Sequence, residues 1–141
     1  MKYTSQSSPS VSDDYFVLAI QMDFSPEVIT YKELISIFWN NHSPEYKAPS
    51  RQYMSMIFYH NEEQRKLAEE TKLHYEKMKS IKVYTEIIPF SKFYLAESYH
   101  QKYYLQLARD LMKELSNNYS DFTDFINSTS AAHVNGYIKG C

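Results

Sequence analysis

Three short β-rich segments, separated by segments with helical periodicity, most constrain the fold of this chain. The β-rich segments span residues 16–24, 53–59 and 83–88. In the first, every second residue is a large apolar one, while the other face ends in Gln21 and Asp23, which is typical of a strand with one buried face. A longer helical stretch, about 96–115, follows the third segment. The order strand, helix, strand, helix, strand, helix predicts an α/β fold.

Both intervening helices carry N-terminal signals. Thr30 is followed three residues later by Glu33, which is the spacing of a capping box, and Ile29 can pack on Leu34 as a hydrophobic staple. Asn61 predicts the cap of the second helix, with Gln64 at the matching position. The predicted inner stripe of this second helix consists of Leu67, Thr71, His74, Tyr75 and Met78.

Composition and length predict one domain with two flanking segments. A chain of 141 residues is long enough for a single core. Residues 1–14 are polar and predict a disordered leader, 15–115 predict the domain, and 116–141 predict a C-terminal extension with one short helix near 129–134. The predicted buried face of the first strand consists of Phe16, Leu18, Ile20, Met22 and Phe24.

Charge, apolar run length and cysteine content bear on nucleic-acid binding, membrane binding and cellular location. The 15 basic and 17 acidic side chains give a net charge of −2, so no field of one sign attracts nucleic acid or an anionic membrane. The longest apolar runs are far shorter than the roughly 20 residues that span a bilayer. Cys141 is the only cysteine and allows no internal disulfide, so a reducing cytoplasm is the expected location.

A dense aromatic and histidine block at residues 93–103 reads Phe-Tyr-Leu-Ala-Glu-Ser-Tyr-His-Gln-Lys-Tyr. It resembles the Phe-Tyr-Pro-Ala-Glu-x-Tyr-His-Gln signature of the A-type peptide methionine sulfoxide reductases, the MsrA family, with Leu95 in place of proline. Four further stretches resemble the same family in the same order, namely 21–26, 29–42, 51–64 and 135–137. The resemblance therefore covers roughly residues 15–140.

The resemblance implies a two-layer α/β sandwich with a ferredoxin-like core. The strand-helix order of this chain fits the second half of that fold. The family's first strand-helix-strand portion carries a Gly-Cys-Phe-Trp turn and a Gly-Tyr-x-Gly-Gly turn, and neither motif occurs here. The chain is therefore expected to be a partial core, and its unpaired sheet edge is expected to favour self-association.

The resemblance also implies a chemistry. In the family a cysteine thiolate attacks the sulfur of methionine-S-sulfoxide in peptides or proteins, while a glutamic acid and tyrosine hydroxyls bind and protonate the oxygen. Methionine leaves, and further cysteines resolve the sulfenic acid as a disulfide that thioredoxin reduces. No bound cofactor is involved; the reductant is a thiol.

Few of the family's catalytic and substrate-binding residues have a match in this sequence. Leu18 stands at the position of the acid glutamate, and only Tyr53 matches a substrate-contacting residue. The catalytic set is therefore empty, and the chain is expected to be a truncated or divergent member that is inactive alone. The rival prediction is a non-catalytic module that binds methionine-containing or oxidised peptides. Cys141 is either a displaced redox thiol or an accident of the chain's C-terminus.

Tyr53 and the pair Glu97 and His100 each allow two interpretations. Tyr53 either contacts substrate or is a half-buried strand tyrosine. Glu97 and His100 have the spacing of di-iron ligands, but a second copy is needed and the five histidines are otherwise scattered. No metal site is predicted, and structural hydrogen bonding by this block is the favoured interpretation.

Overall fold

The computed structural model describes residues 17–140 and the backbone of residues 2–4. The strands are β1 (Lys2–Thr4), β2 (Ala19–Gln21), β3 (Met56–Tyr59) and β4 (Glu86–Pro89). The helices are α1 (Tyr31–Asn40), α2 (Glu62–Lys79), α3 (Tyr103–Leu107), α4 (Arg109–Ser116), α5 (Phe122–Asn127) and α6 (Thr129–Lys139). Helices and strands both build the fold, so the predicted α/β class is confirmed.

The chain divides into two compact units, each with its own core. One unit contains β1, β2 and residues 93–140, and the other contains residues 24–92. Strand β1 lies inside the segment predicted as a leader, and the rest of residues 1–14 falls outside the described residues. The division into leader, domain and extension stays a prediction.

The unit of residues 24–92 is built around a β-α-β segment. Strands β3 and β4 run parallel, with Ile57 opposite Ile87, and α2 connects them, as a parallel pair requires. Helices α1 and α2 contribute apolar residues to the same core. The buried members of this core are Ile35, Trp39, Ile57, Ala68 and Val83.

Both strands of this pair are shorter than predicted. The segment 53–59 becomes a strand only at Met56, because Arg51–Tyr53 forms a 3₁₀ turn. The segment 83–88 becomes a strand only at Glu86. Before that point, the N–H of Tyr84 donates to the carbonyl of Pro44 at 2.8 Å, so the backbone bonds to a loop instead of to β3.

Local capping fixes both helices of this unit. Thr30 and Glu33 form the predicted capping box, with the Thr30 N–H donating to the Glu33 carboxylate at 2.7 Å. Asn61 caps α2 as predicted by accepting from the N–H of Gln64. The side chain of Gln64, however, accepts from the N–H of His60 at 2.8 Å, one residue before the cap. The second box is therefore shifted by one residue.

The inner face of α2 differs in part from the predicted stripe. Leu67, Thr71 and Tyr75 are half-buried, whereas His74 and Met78 are exposed. Ala68 is fully buried. The contact face is rotated because the Thr71 hydroxyl accepts from the indole N–H of Trp39 at 3.1 Å, which brings α1 onto the side of α2 that Ala68 occupies.

The other unit corrects the predicted helix over 96–115. The backbone instead forms a 3₁₀ turn at Ser98–His100, turns at Lys102, whose φ is 49°, and breaks again at Ala108 between α3 and α4. Helix α6 is longer than predicted, and α5 was not predicted. The core of this unit consists of Leu105, Phe125, Ile126 and Ala131.

Strand β2 shows the largest departure from expectation. The side chains of Leu18, Ile20 and Met22 share one face as predicted, but that face is 41%, 51% and 41% exposed instead of buried. Ala19 and Gln21, on the opposite face, are half-buried. Phe16 lies outside the described residues. The strand is thus turned with its apolar side outwards.

Candidate functional site

Tyr53 ends a short turn on the surface of the unit of residues 24–92. Its N–H donates to the carbonyl of Ser50 at 3.2 Å, which closes the 3₁₀ turn just before β3. Its side chain is 60% exposed, and its hydroxyl bonds to no other described residue. The interpretation of Tyr53 as a half-buried strand tyrosine is therefore wrong. Its hydroxyl is accessible to a ligand from solvent.

A cleft of about 370 Å³ lies next to this turn. Residues 46–51 form one wall, Met54 and Ser55 form a second, and Tyr84 and Glu86 complete it. The lining combines aromatic and aliphatic surface with polar and charged side chains. Tyr53 itself is not among the lining residues.

A chain of three side chains supports the cleft from inside. Nδ1 of His42 lies 2.6 Å from the carbonyl oxygen of Phe38, and Nε2 lies 2.9 Å from Oγ of Ser55. Oγ of Ser55 lies 2.8 Å from Oγ1 of Thr85. Because a carbonyl can only accept, Nδ1 donates to Phe38. Nε2 and the hydroxyls of Ser55 and Thr85 continue the chain, and each hydroxyl can donate or accept in it.

This relay, His42–Ser55–Thr85, connects the end of α1, the start of β3 and the start of β4. Thr85 is 1% exposed, so its hydroxyl depends on Ser55 for a partner. The amine of Lys72 on α2 donates to the carbonyl of Thr85 at 2.7 Å and adds a fourth element. The sequence did not reveal the relay, because its members lie 13 and 30 residues apart with no local motif.

Charge at the cleft is mixed. Lys47 and Arg51 line it together with Glu86, and both cations are exposed. Exposed cations interact weakly across water, so they bias the cleft towards anionic or strongly hydrogen-bond-accepting groups without fixing one. A sulfoxide oxygen is one such acceptor.

The signature block at residues 93–103 is mainly a structural turn. Ala96 and Gln101 are buried, and the Gln101 amide donates to the Ala96 carbonyl at 3.2 Å. The carboxylate of Glu97 and the ring of His100 are 4.0 Å apart and both exposed. The rings of Tyr99 and His100 lie 4.2 Å apart. The buried side chains of this bend are thus Ala96 and Gln101, whereas the rings of Tyr94, Tyr99 and Tyr103 are largely exposed.

The remaining predicted residues do not assemble a site. Leu18, at the expected acid position, is an exposed apolar side chain immediately before β2. Cys141 lies outside the described residues. In residues 17–140, no group of three or more histidine, cysteine, aspartate or glutamate side chains has the geometry to hold a metal ion. None of the described helices is long and apolar enough to cross a bilayer.

Comparison with known proteins decides the family. A family model described as peptide methionine sulfoxide reductase matches residues 8–131. The chain belongs to the peptide methionine sulfoxide reductase family. The matched residues include the signature block and the stretches 21–26, 29–42 and 51–64, whereas 135–137 lies beyond them. The A-type assignment is supported by relatives that carry the name MsrA.

Three relatives show how the match is distributed. A peptide methionine sulfoxide reductase from Drosophila melanogaster is 40% identical over 125 residues, which covers 86% of this chain and 49% of that protein. MsrA proteins from Sulfolobus acidocaldarius and Methanosarcina acetivorans are 47% and 45% identical over 92 and 93 residues. These matches cover 60% and 61% of this chain and 51% and 50% of the relatives. The chain spans about half the length of the curated relatives it matches.

Proposed function

We propose that this chain is a divergent or truncated member of the A-type reductase lineage, and that its 141 residues do not reduce methionine-S-sulfoxide on their own. The observation that carries the proposal is the composition of the expected site. The only cysteine is Cys141, and leucine stands at the acid position, residue 18. The substrate class of the lineage is oxidised methionine in peptides or proteins.

The missing thiol is decisive on chemical grounds. A thiolate is a soft and strong nucleophile, and neither serine nor tyrosine replaces it at neutral pH. Loss of a nucleophile costs on the order of 10⁶ in kcat in an enzyme where it has been measured. Residues 17–140 contain no cysteine at all.

The missing acid acts in the same direction. As the thiolate attacks the sulfur, the sulfoxide oxygen gains electron density and must be protonated before methionine can leave. Leu18 has no proton to give, and it is an apolar side chain 41% exposed, immediately before β2. Even with a thiol supplied, protonation of the oxygen would depend on water or on a phenol.

Tyr53 is the proposed substrate contact. Its exposed hydroxyl can donate to a sulfoxide oxygen, which is a strong acceptor. The neighbouring cleft offers apolar surface for the methionine side chain. Tyr53→Phe removes the donor with little change in shape, so it separates hydrogen bonding from packing.

The direct test is reduction of a methionine-S-sulfoxide peptide with dithiothreitol as reductant. The Drosophila relative serves as positive control, and Cys141→Ser serves as the matched variant. We expect no turnover above the dithiothreitol blank for either form of this chain. Turnover by the wild-type chain that Cys141→Ser abolishes would overturn the proposal and make Cys141 a working thiol.

The rival prediction, a non-catalytic module for methionine-containing or oxidised peptides, is not favoured by the comparisons, because the matched relatives are named as reductases. Binding of thioredoxin, a cytoplasmic location and self-association through a sheet edge stay predictions. Affinity for an oxidised peptide without turnover, lost in Tyr53→Phe, would revive the rival.

A further inference from the structure

Ser55 connects the relay to the cleft. Of the three relay side chains, it alone lines the cleft of about 370 Å³, and it is half-buried. Its Oγ lies 2.9 Å from Nε2 of His42. A hydroxyl at the wall of a cleft, within hydrogen-bond distance of a histidine nitrogen, has the arrangement of a nucleophile beside its base.

The ring of His42 is held in one orientation. Nδ1 donates to the carbonyl of Phe38 at 2.6 Å. The centroid of the ring also lies 4.3 Å from that of the Phe38 ring and 6.2 Å from that of the Trp39 ring. With its hydrogen on Nδ1, the neutral ring has a lone pair on Nε2, and this nitrogen faces Ser55. The neutral ring can therefore take the proton of the Ser55 hydroxyl.

Ser55 is also held in place. Its carbonyl accepts from the N–H of Glu86 at 3.1 Å, which fixes the backbone where β3 and β4 begin to pair. Oγ1 of Thr85, a residue that is 1% exposed, lies 2.8 Å from Oγ of Ser55. When Ser55 donates to His42, Thr85 can donate to Ser55, and such a hydrogen bond strengthens as negative charge develops on the oxygen. Thr85 is therefore a positioning residue for the nucleophile.

We propose that Ser55 is a nucleophile for acyl transfer, with His42 as its general base and the adjoining cleft as the site for a small activated ester. Oγ of Ser55 bonds to the carbonyl carbon of the ester, while its proton passes to Nε2 of His42. The bond from that carbon to the alcohol oxygen then breaks, and the departing oxygen takes the proton. Water, deprotonated by the same nitrogen, hydrolyses the acyl-serine to the free acid and restores the hydroxyl.

The expected reaction is slow. A neutral carbonyl, that of Phe38, takes the place of the carboxylate that orients the histidine in serine hydrolases. It fixes the ring but stabilises the positively charged imidazolium less than a carboxylate does. The reaction also differs from sulfoxide reduction, because a carbonyl carbon accepts an oxygen nucleophile, whereas the sulfoxide sulfur requires a thiolate. The proposal thus rests on the relay and the cleft, independently of the chain's family.

The experiment uses the full chain and p-nitrophenyl acetate as the probe. The reaction is quenched in acid at successive times, and the acetylated residues are located by mass spectrometry after digestion with trypsin. Cleavage after Arg51 and Arg65 gives a peptide in which Ser55 is the only serine. We expect an acetyl group on Ser55 in the folded wild type, together with release of p-nitrophenolate.

Two variants separate base catalysis from mere access to the cleft. His42→Gln keeps hydrogen-bonding groups but has no basic nitrogen, so it should slow the acetylation of Ser55 about 100-fold. Ser50 is an exposed serine that lines the same cleft, and Ser50→Ala should leave the rate unchanged. Far-UV circular dichroism checks that both variants fold. Because Ser55→Ala loses two hydrogen bonds and is destabilised, the site is assigned from the wild-type peptide and does not depend on that variant.

Three results would overturn the proposal. One is the absence of an acetyl group on Ser55 in the folded wild type. Another is an equal rate of acetylation at Ser55 in the wild type and in folded His42→Gln. A third is an undiminished rate at Ser55 when the wild type is unfolded in urea, since the folded arrangement would then activate nothing. Each leaves the sulfoxide-reduction test unaffected, so failure here and failure of the proposed function are distinguishable.

Discussion

The relay His42–Ser55–Thr85 gives a sharp prediction about stability. Ser55→Ala deletes two hydrogen bonds, of 2.9 Å and 2.8 Å, and leaves the hydroxyl of Thr85 buried at 1% exposure without a partner. Losing these two bonds and leaving the buried hydroxyl of Thr85 unpaired should together lower the free energy of unfolding by about 2–3 kcal/mol. Thr85→Val deletes only the second bond and keeps the shape, so it should cost about 1 kcal/mol.

The variant that combines Ser55→Ala with Thr85→Val measures the coupling between the two hydroxyls. Once Ser55 is alanine, replacing Thr85 by valine removes the stranded hydroxyl and no remaining bond, so the second change should cost close to nothing. The coupling energy between Ser55 and Thr85 is therefore about 1 kcal/mol, with the double variant less destabilised than the sum of the single variants.

Urea unfolding followed by tryptophan fluorescence measures these values, because the single tryptophan, Trp39, lies in the same core. With a typical slope, 2–3 kcal/mol moves the midpoint by about 1–2 M. The control is Ser43→Ala, because Ser43 is an exposed serine next to His42. This change should alter the free energy of unfolding by less than about 0.5 kcal/mol. Additive effects of Ser55→Ala and Thr85→Val would show that the two hydroxyls are not coupled and refute the relay.

Two further changes test other parts of the structure. Thr30→Ala should cost about 1 kcal/mol in the same urea assay by removing the cap of α1. The hydroxyl of Thr30, and then its backbone N–H, lower the pKa of Glu33, so the stabilisation from Glu33 is present above its unfolded pKa and lost as the pH falls through the lowered folded value. An NMR titration should show a higher pKa for Glu33 in Thr30→Ala than in the wild type. An unchanged pKa would contradict the hydrogen bond between Thr30 and Glu33. The hydroxyl of Tyr31 is buried without a partner among the described residues, and burial raises its pKa, so Tyr31→Phe should be neutral or stabilising by up to about 1 kcal/mol in thermal melts. A clear loss would mean that the hydroxyl is satisfied.

Local signals in the sequence predicted the helices of the unit 24–92 well. The Thr30–Glu33 box and the Asn61 cap depend on residues three apart, so their geometry follows from the chain itself. The strand bounds were predicted less well, because β4 begins only after Tyr84 has bonded to the distant Pro44. Such a contact has no local signature.

Elsewhere the missing information was tertiary. The helical stretch 96–115 has continuous helical character, yet the backbone turns at Lys102, where φ is positive. The periodicity of residues 18–22 correctly grouped their side chains on one face but could not say whether that face meets a core or solvent. Burial depends on which other elements pack on the strand, and the alternation of apolar residues does not indicate them.

The same reasoning explains what was found at the candidate site. Tyr53 was identified only through the family resemblance, and its exposed turn emerged only from the fold. His42, Ser55 and Thr85 are ordinary residues in sequence, and only the packing of α1 against the β-α-β segment brings them together.

The central proposal is that these 141 residues carry part of the methionine sulfoxide reductase scaffold without the family's reacting groups. Its most direct test is the rate at which the purified chain converts a methionine-S-sulfoxide peptide to the methionine peptide in excess dithiothreitol, followed by mass spectrometry. The account predicts the blank rate for the wild type and for Cys141→Ser alike. A wild-type rate well above the blank that disappears in Cys141→Ser would contradict it.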